Sequence, residues 1–445
     1  MKTPICDFAD NYIKSNTLRM HMPGHKGSTL LGFEPLDITE IKGADSLYEA
    51  DGIIAESEAI SSSLFGCPTF YSAEGSSLCI RAMLYLVSLY AKDKNKSNII
   101  LASRNAHKTF INTIALLDLE VQWLMPEADS SYLSVNITTE GLDKALGEAP
   151  LLPVAVYITS PDYLGNTSDI KGLSAVCRRH GVLLIVDNAH GAYLNFLDTS
   201  LHPISLGADM CCDSAHKTLP VVTGGAYLHI SDNADKHFTE NAKKALSLFG
   251  STSPSYLILE SLDKANAYLG SQYRADLKAF IEKTDILKAD LTAGGYDLYG
   301  DEPIKLTIEA KKYGYTGVEL ADVLRASNIE CEFSDNDYTV LMLTPENKAD
   351  ELDLLKGTLL SGPKKQEITE KAPLNKLPRK AMSVRAATLA PCETVDASDS
   401  IGRVLAFADV GCPPAVPIIV SGEIIDENTL KAFEYYGITR VCVVK

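Results

Sequence analysis

The strongest constraint on the fold is a regular alternation of short apolar runs and amphipathic segments over residues 65–230. This alternation is typical of buried strands in a largely parallel sheet, each followed by a helix that packs on one face. It predicts strands at 98–103, 121–125, 153–160, 182–187, 208–213 and 224–230. It predicts helices at 77–92, 107–117, 139–147 and 169–180, the last with Asp169 as its N-cap. We therefore predict an α/β domain.

The rest of the chain has a different pattern. A helical tract covers about 255–285, and strand patterns at 301–310 and 338–344 flank a helix at 316–326. Residues 361–381 lose apolar periodicity and gain proline and positive charge, which is typical of a solvated linker. The predicted organisation is an N-terminal arm at 1–50, a large domain at 51–285, a small α+β domain at 286–360, a linker at 361–381 and a C-terminal lobe at 382–445.

Composition excludes several classes of protein. With 445 residues, the chain is long enough for two or three domains. Its 41 Lys and Arg against 58 Asp and Glu give a net charge of −17, which disfavours nucleic acid and anionic membranes as partners. The ten cysteines form no C-x-x-C pair, and no stretch approaches the ~18 apolar residues of a membrane-spanning helix. We expect a reduced, cytoplasmic protein.

Common catalytic motifs are also missing from the sequence. It contains no G-x-x-x-x-G-K-[ST], no H-E-x-x-H and no G-x-G-x-x-G after a strand, so nucleotide and zinc-protease functions lose their usual support. His21 and His25 lie four residues apart, which on a helix would suit a metal. Because Pro23 and Gly24 lie between them, a loop with structural or substrate-lining histidines is favoured over a metal site.

Two strand ends carry the most informative residues. Asp187 ends one apolar strand, where open α/β sheets bind ligands, although a loop-capping Asp is the alternative. Lys217 follows the next strand, beside Ser214 and His216, and its alternative is a solvated surface lysine. Together they can hold pyridoxal 5'-phosphate (PLP): the lysine forms a Schiff base, the acid pairs with the pyridine nitrogen and the donors bind phosphate.

Two helix starts add weaker support. Ser76 and Ser77 follow Gly75 at the start of a predicted helix, where free N–H groups and hydroxyls would bind phosphate. An ordinary serine N-cap is the alternative. His107 lies at another strand-to-helix turn, where it could stack on a cofactor ring, cap the helix or fill a gap.

Taken together, these residues resemble the Orn/Lys/Arg decarboxylases, which have the aminotransferase-like fold, fold type I of the PLP enzymes. The chain is similar to the short, arginine-decarboxylase-like branch, not to the long inducible enzymes with an extra amino-terminal wing domain. The resemblance rests on segments in family order at 21–27, 103–108, 187–191, 214–217, 251–256 and, more loosely, 401–403, 413–417 and 422–423.

The resemblance implies PLP as the cofactor and assigns roles to individual residues. Lys217 corresponds to the Schiff-base lysine, Asp187 to the partner of the pyridine nitrogen and His107 to the residue stacked on the ring. The corresponding phosphate ligands are Ser76, Ser77, Ser214 and His216, and His190 lies against the ring. Thr252 belongs to a segment that, in homodimers of this fold, reaches the neighbouring subunit's phosphate, so a homodimer is implied.

The implied reaction is decarboxylation of a small-molecule substrate, a basic amino acid, to its amine, with arginine favoured over lysine and ornithine. The predicted catalytic residues are Lys217, His107, His216 and Asp187. Two alternatives stay open: an aminotransferase or lyase of the same fold, and a PLP-binding protein without turnover. An aminotransferase would clamp the substrate α-carboxylate with an arginine, for which the candidates are Arg385, Arg403 and Arg440.

The substrate's distal cation should meet a carboxylate. The candidates are Glu40, Asp45, Glu74 and Glu423, although each is more often a solvated or capping acid. The chain departs from the family pattern at three places. Glu74 stands where related enzymes often have an amide residue, and Asn188 stands where many have Glu. The segment 411–414 is shifted from the Tyr-Pro-Pro-Gly that we expect in the family.

Overall fold

A computed structural model describes residues 1–124, 131–407, 411–412 and 415–445. Its helices α1 to α14 span Pro4–Lys14, Ile53–Phe65, Gly75–Asp93, Lys108–Leu117, Thr139–Gly147, Ile170–His180, Ala215–Thr218, Lys236–Phe249, Tyr256–Leu269, Tyr273–Ala293, Gly317–Ala326, Ala349–Ser361, Val384–Thr388 and Glu427–Tyr435. Its strands β1 to β15 span Thr69–Ser72, Ile99–Ser103, Glu120–Leu124, Ala155–Thr159, Leu183–Asp187, Met210–Asp213, Ala226–Ile230, Leu298–Tyr299, Lys305–Glu309, Phe333–Ser334, Tyr338–Met342, Cys392–Asp396, Gly411–Cys412, Val416–Pro417 and Arg440–Val444.

Strands β1 to β7 belong to one seven-stranded sheet. The chain divides into two compact units, and the first, residues 1–96 and 183–276, contains β1, β7, β6 and β5 in that order. The second, residues 97–182 and 277–445, contains β4, β2 and β3. The pairs β5–β6, β4–β2 and β2–β3 are parallel, whereas β7 pairs antiparallel with β1 and β6. The prediction of a mostly parallel sheet is confirmed.

The predicted strands and helices of this sheet are confirmed, with small shifts at their ends. All residues of β2, β6 and β7 are buried, as expected for strands covered on both faces. Asp169 caps α6 by accepting from Gly172 N, and Gly181 ends that helix in the left-handed region with φ +65°. Met125, included in a predicted strand, lies outside the described residues.

Seven helices, α1, α2, α7, α8 and α12 to α14, were not predicted from the sequence pattern, and one predicted helical tract is divided. The sequence pattern did not indicate α1, whose backbone N–H groups at Ile5 and Cys6 donate to Asp263 in the same unit. The single tract predicted at 255–285 is two helices, α9 and α10. The chain turns between them at Gly270, where apolar periodicity on both sides conceals the break.

The second unit also carries the small antiparallel sheet β10-β11-β9-β8, and α11 begins there with a capping box between Thr316 and Glu319. A separate apolar cluster, centred on Leu405, Ile419 and Phe433, supports the pairing of β12 with β15. Residues 363–379 form no helix or strand. The domain boundaries predicted from sequence stay predictions. Among the described residues, no helix has the length and apolar content needed to cross a membrane.

Candidate active site

Asp187 lies at the carboxyl edge of the sheet in the first unit, where β5 ends. The apolar run 184–186 is fully buried and ends β5 at this acid, which is itself only 3% exposed. Asp187 Oδ1 accepts from Ala189 N at 3.2 Å and from Cys212 Sγ at 3.6 Å. Because β5 and β6 are parallel neighbours, with Asp187 opposite Cys212, the ends of both strands meet at this edge.

Lys217 lies directly after the end of β6. Ser214 leads into the short helix α7, and Lys217 N donates to Ser214 O at 3.0 Å. The half-buried Lys217 Nζ is 3.1 Å from His190 Nε2, on the loop that follows β5. The fold therefore brings together a lysine and a histidine that are 27 residues apart in sequence, on the two loops that follow β5 and β6.

The start of α3 lies against the same turn. Ser214 Oγ donates to Ser76 Oγ at 2.7 Å, and Gly75 N donates to Gly224 O at 2.7 Å. Gly224 has φ +102°, and a Cβ there would lie 3.1 Å from Ala73 O, so this close approach requires glycine. Helix N-termini present free N–H groups to anions, and the paired hydroxyls add donors at the same point.

The remaining predicted residues occupy several places. His216 is half-buried, and its backbone N–H donates to Gly225 O at 3.2 Å. Ser77 lies in the first turn of α3. Thr252 is exposed on the turn before α9, where the neighbouring Ser251 N donates to Glu74 Oε1 at 2.5 Å.

His107 belongs to the second unit, where it is the N-cap of α4. Its Nδ1 accepts from Thr109 N at 3.1 Å, so the ring is fixed by a capping bond. Capping was one of the roles that the sequence left open for this histidine. Since Nδ1 accepts, the neutral ring carries its proton on Nε2.

The candidate acids for a distal cation separate into two groups. Asp45 and Glu423 are buried: Asp45 accepts several backbone N–H groups at the start of α2, and Glu423 Oε2 pairs with Arg104 Nη2 at 3.0 Å. Although burial opposes ionisation, those N–H donors hold the pKa of Asp45 below its usual value. Glu40 and Glu74 are exposed. Asp45 and Glu423 thus have structural partners of their own.

Each candidate arginine for a substrate carboxylate also has a partner within the second unit. Arg385 Nη1 donates to the Ala115 and Leu116 carbonyls. Arg403 pairs with Glu393 at 2.7 Å, and the exposed Arg440 lies 3.7 Å from Asp396. These partners match the ordinary surface and capping roles of arginine. Of the shifted segment 411–414, the residues 413–414 lie outside the described part of the chain.

The histidines of the N-terminal motif lie in turns, as predicted. His25 Nε2 is 3.1 Å from Asp37 Oδ2, and His25 Nδ1 accepts from Gly27 N at 3.0 Å. Both ring nitrogens of His25 therefore hold the arm loop in shape. His21 contacts Tyr12, whose hydroxyl is 2.6 Å from His21 Nε2.

Sequence reasoning missed a buried network at the end of β6. Asp213 Oδ2 is 3.1 Å from both His202 Nε2 and His229 Nε2, and Asn188 Nδ2 donates to Asp213 Oδ1 at 2.6 Å. His202, Asp213 and Cys211 offer ligand-type atoms within 4.8 Å of one another. A carboxylate only accepts, however, so both imidazole Nε2 atoms act as N–H donors here. The only sequence signal for this network was that Asp213 and His229 each lie in an otherwise apolar strand.

Matches to a known protein family and to individual relatives cover most of the chain. Residues 3–294 match the family described as Orn/Lys/Arg decarboxylase, major domain. The chain is 30% identical to an arginine decarboxylase of Halalkalibacterium halodurans, covering 96% of this chain and 92% of that protein. It is 28% identical to an arginine decarboxylase of Bacillus subtilis, covering 96% and 92%. A constitutive lysine decarboxylase of Escherichia coli is 24% identical over 58% of this chain and 39% of its own length.

Solved structures share the fold. A lysine decarboxylase of Francisella novicida superposes with a TM-score of 0.81 at 17% identity, covering 100% of this chain and 81% of the other. A Sphingomonas wittichii serine palmitoyltransferase gives a TM-score of 0.56 at 14% identity, with 81% and 83% covered. The aminotransferase-like fold predicted from the motifs is therefore confirmed.

Proposed function

The chain belongs to the Orn/Lys/Arg decarboxylase family, and from this premise we propose that it is an arginine decarboxylase that uses PLP bound at the Lys217 turn. The family assignment makes it a PLP-dependent decarboxylase of basic amino acids. The choice of arginine is supported by the full-length relatives named arginine decarboxylase, which the chain spans almost end to end. The lysine decarboxylase of Escherichia coli matches over a much smaller share of its length.

The residues present at the edge of β5 and β6 fit PLP. Asp187 would supply a buried carboxylate for the pyridine nitrogen, and Lys217 would supply the amine that carries the cofactor. Ser76 and Ser214, together with the N–H groups of α3, suit a phosphate. By the family resemblance, Ser77, His216, His107, His190 and a partner's Thr252 complete the set.

When bound, PLP withdraws electrons from the bond between the substrate Cα and its carboxylate. The protein's own groups control protons around that chemistry. Asp187, shielded from water, would keep the pyridine nitrogen protonated. His190 Nε2, 3.1 Å from Lys217 Nζ, can accept a proton from the lysine and so keep its amine reactive. His216 or Lys217 would return a proton to Cα.

A panel assay tests the substrate and the reaction together. Purified protein with PLP should release CO₂ and an amine from arginine, and to a smaller extent or not at all from lysine and ornithine. Keto-acid formation in the presence of an amino acceptor would instead favour an aminotransferase. Binding of PLP with no amino acid consumed would favour a protein without turnover.

The Lys217→Ala variant tests the lysine assignment. It should lose the protein-bound PLP absorbance and the adduct trapped by borohydride, because no other group in the proposal forms that covalent bond. Lys171→Ala, at an exposed position on α6, is the matched control and should keep both signals. Retention of both signals by Lys217→Ala would refute the assignment.

We also propose a cytoplasmic homodimer. Nine of the ten cysteines, all but Cys412, are reduced thiols that form no disulfide in the described part of the chain, which suits a reducing compartment. The N-terminal arm exposes large apolar side chains, among them Leu18 at 76%, Met20 at 81% and Leu30 at 88%. Exposed apolar surface of this kind is typical of an interface. In such a dimer, Thr252 would face the partner's phosphate site.

A further inference from the structure

Asp213 is a fully buried carboxylate that lies between two loops of the candidate site. It ends β6 and immediately precedes Ser214, whereas its hydrogen-bond partner Asn188 immediately follows Asp187 at the end of β5. The Asn188 Nδ2 to Asp213 Oδ1 distance is 2.6 Å. This bond joins the loop that carries Asp187 and His190 to the turn that carries Lys217.

Two histidines hold Asp213 from the other side. His202 and His229 are both 0% exposed, and each donates from Nε2 to Asp213 Oδ2 at 3.1 Å. On the far side of one ring, His229 Nδ1 is 2.9 Å from Thr69 Oγ1, so that ring is fixed at both nitrogens. A buried carboxylate without such donors would be strongly destabilising.

The charge of this network follows from its donors. Although burial opposes ionisation, His202 and His229 hold the pKa of Asp213 far below its usual value. Burial lowers the pKa of His229, and its Nε2 still donates to Asp213 Oδ2. Asp213 accordingly has three N–H donors and keeps a fixed orientation, and it transmits that orientation to Asn188.

We infer that Asp213 is a positioning residue that sets the placement of Asp187 and His190 relative to Lys217. The inference rests on the proposed PLP site and goes beyond it, because Asp213 itself touches neither the cofactor nor the substrate in the proposal. Replacing a carboxylate that is needed only for packing would change the stability of the protein alone. Replacing a positioning residue would also change the affinity for the cofactor and the absorbance spectrum of the bound cofactor.

The most direct variant is Asn188→Ala, which removes the Asn188–Asp213 hydrogen bond and leaves Asp213 with both histidines. We expect its apo form to unfold at a lower temperature, because a buried hydrogen bond to a charged group is lost, and to bind PLP about tenfold or more weakly, because the two loops are held less firmly in register. The absorbance maximum of bound PLP should also shift. Wild-type affinity and an unchanged spectrum in this variant would overturn the inference.

A reciprocal exchange tests the pair itself. Asn188→Asp alone should weaken PLP binding, since it puts two carboxylates face to face. Asp213→Asn alone should weaken it less, since Asn188 can turn its Oδ1 to accept from the new amide. In the double variant, the amide at position 213 would donate to the carboxylate at position 188 and still accept from both histidines. PLP affinity should therefore return to within about threefold of wild type. Additive losses in the double variant would overturn the inference.

Asp209→Asn is the matched control. Asp209 precedes β6 and accepts from Leu184 N at 2.8 Å, at the opposite end of the same two strands. It should lower the unfolding temperature without changing PLP affinity or spectrum, and an equal loss of affinity would count against a special role for Asp213. If wild-type protein itself binds no PLP, the proposed function fails. If wild type and all variants bind alike, only the positioning role of Asp213 fails.

Discussion

Asp45 and Glu260 are both buried acids of the first unit, yet their surroundings move their pKa values in opposite directions. Backbone N–H groups hold the pKa of Asp45 below its usual value against the effect of burial. Glu260 Oε1 has no hydrogen-bond partner among the described residues. Burial first, and then Asp10, Asp37 and Asp263, raise the pKa of Glu260 to about 8. Glu260 is therefore mostly protonated at neutral pH.

The Glu260→Gln variant should change how stability depends on pH. Because folding raises the pKa of Glu260, its contribution is fully present below the unfolded pKa of about 4.3 and is lost as pH rises towards 8. Because the amide of Gln does not ionise, the variant does not lose this stability as pH rises. Thermal unfolding of the variant should match wild type near pH 4 and occur ~2–4 °C higher at pH 9.

Glu240→Gln provides the control for this experiment, since Glu240 is exposed on α8. Its unfolding curve should follow wild type at both pH values. A Glu260→Gln curve that stays parallel to wild type from pH 4 to 9 would contradict the raised pKa.

At the scale of elements, helix α4 is held at both ends by the C-terminal part of the second unit. At its start, Lys108 N donates to Ala415 O at 2.8 Å. At its end, Arg385 Nη1 donates to the Ala115 and Leu116 carbonyls at 2.9 Å each. A cation at a helix C-terminus also interacts favourably with the helix dipole. The orientation of the helix that His107 caps therefore depends on residues far away in sequence.

Arg385→Ala should lower the free energy of unfolding by about 1–2 kcal/mol, because two charge-assisted hydrogen bonds are lost from a partly exposed site. Arg440→Ala, which removes one exposed arginine 3.7 Å from Asp396, should change it by less than about 0.5 kcal/mol. Chemical unfolding measures both. If Arg385→Ala kept its stability but raised KM strongly, Arg385 would instead be a ligand of the substrate carboxylate.

At the scale of the whole molecule, the exposed arm predicts self-association. Leu30 and Leu31 are 88% and 72% exposed. Monomeric proteins rarely expose neighbouring large apolar side chains to this extent. Light scattering after size exclusion should give about twice the chain mass of 48.2 kDa. Replacing both leucines by Asp should shift the protein towards the monomer, because charged groups are costly in a buried interface.

Ile286→Asp tests whether any exposed apolar residue would have the same effect, since Ile286 is 62% exposed on α10. This control should leave the mass of the oligomer unchanged. A wild-type mass equal to one chain would contradict the dimer.

Local pattern explains why much of the molecule could be predicted. Asp187 and Lys217 were identified because each follows an apolar run, and a run of that length predicts a buried strand with its end at a sheet edge. The N-cap at Asp169 was predicted for a similar reason, since capping involves residues within one turn. The break at Gly270 was missed because the apolar period continues on both sides of it.

The sequence by itself determined the alternating α/β pattern, the strand-end acid and lysine, and membership of the decarboxylase family, since each depends on residues close together in the chain. Only the tertiary structure decided which partners meet. Asp213 and Asn188 are 25 residues apart, and Arg104 and Glu423 are 319 apart. The physical reason is that a buried polar group takes its donors from whatever the fold brings near, and periodicity along a strand or helix carries no information about those distant residues.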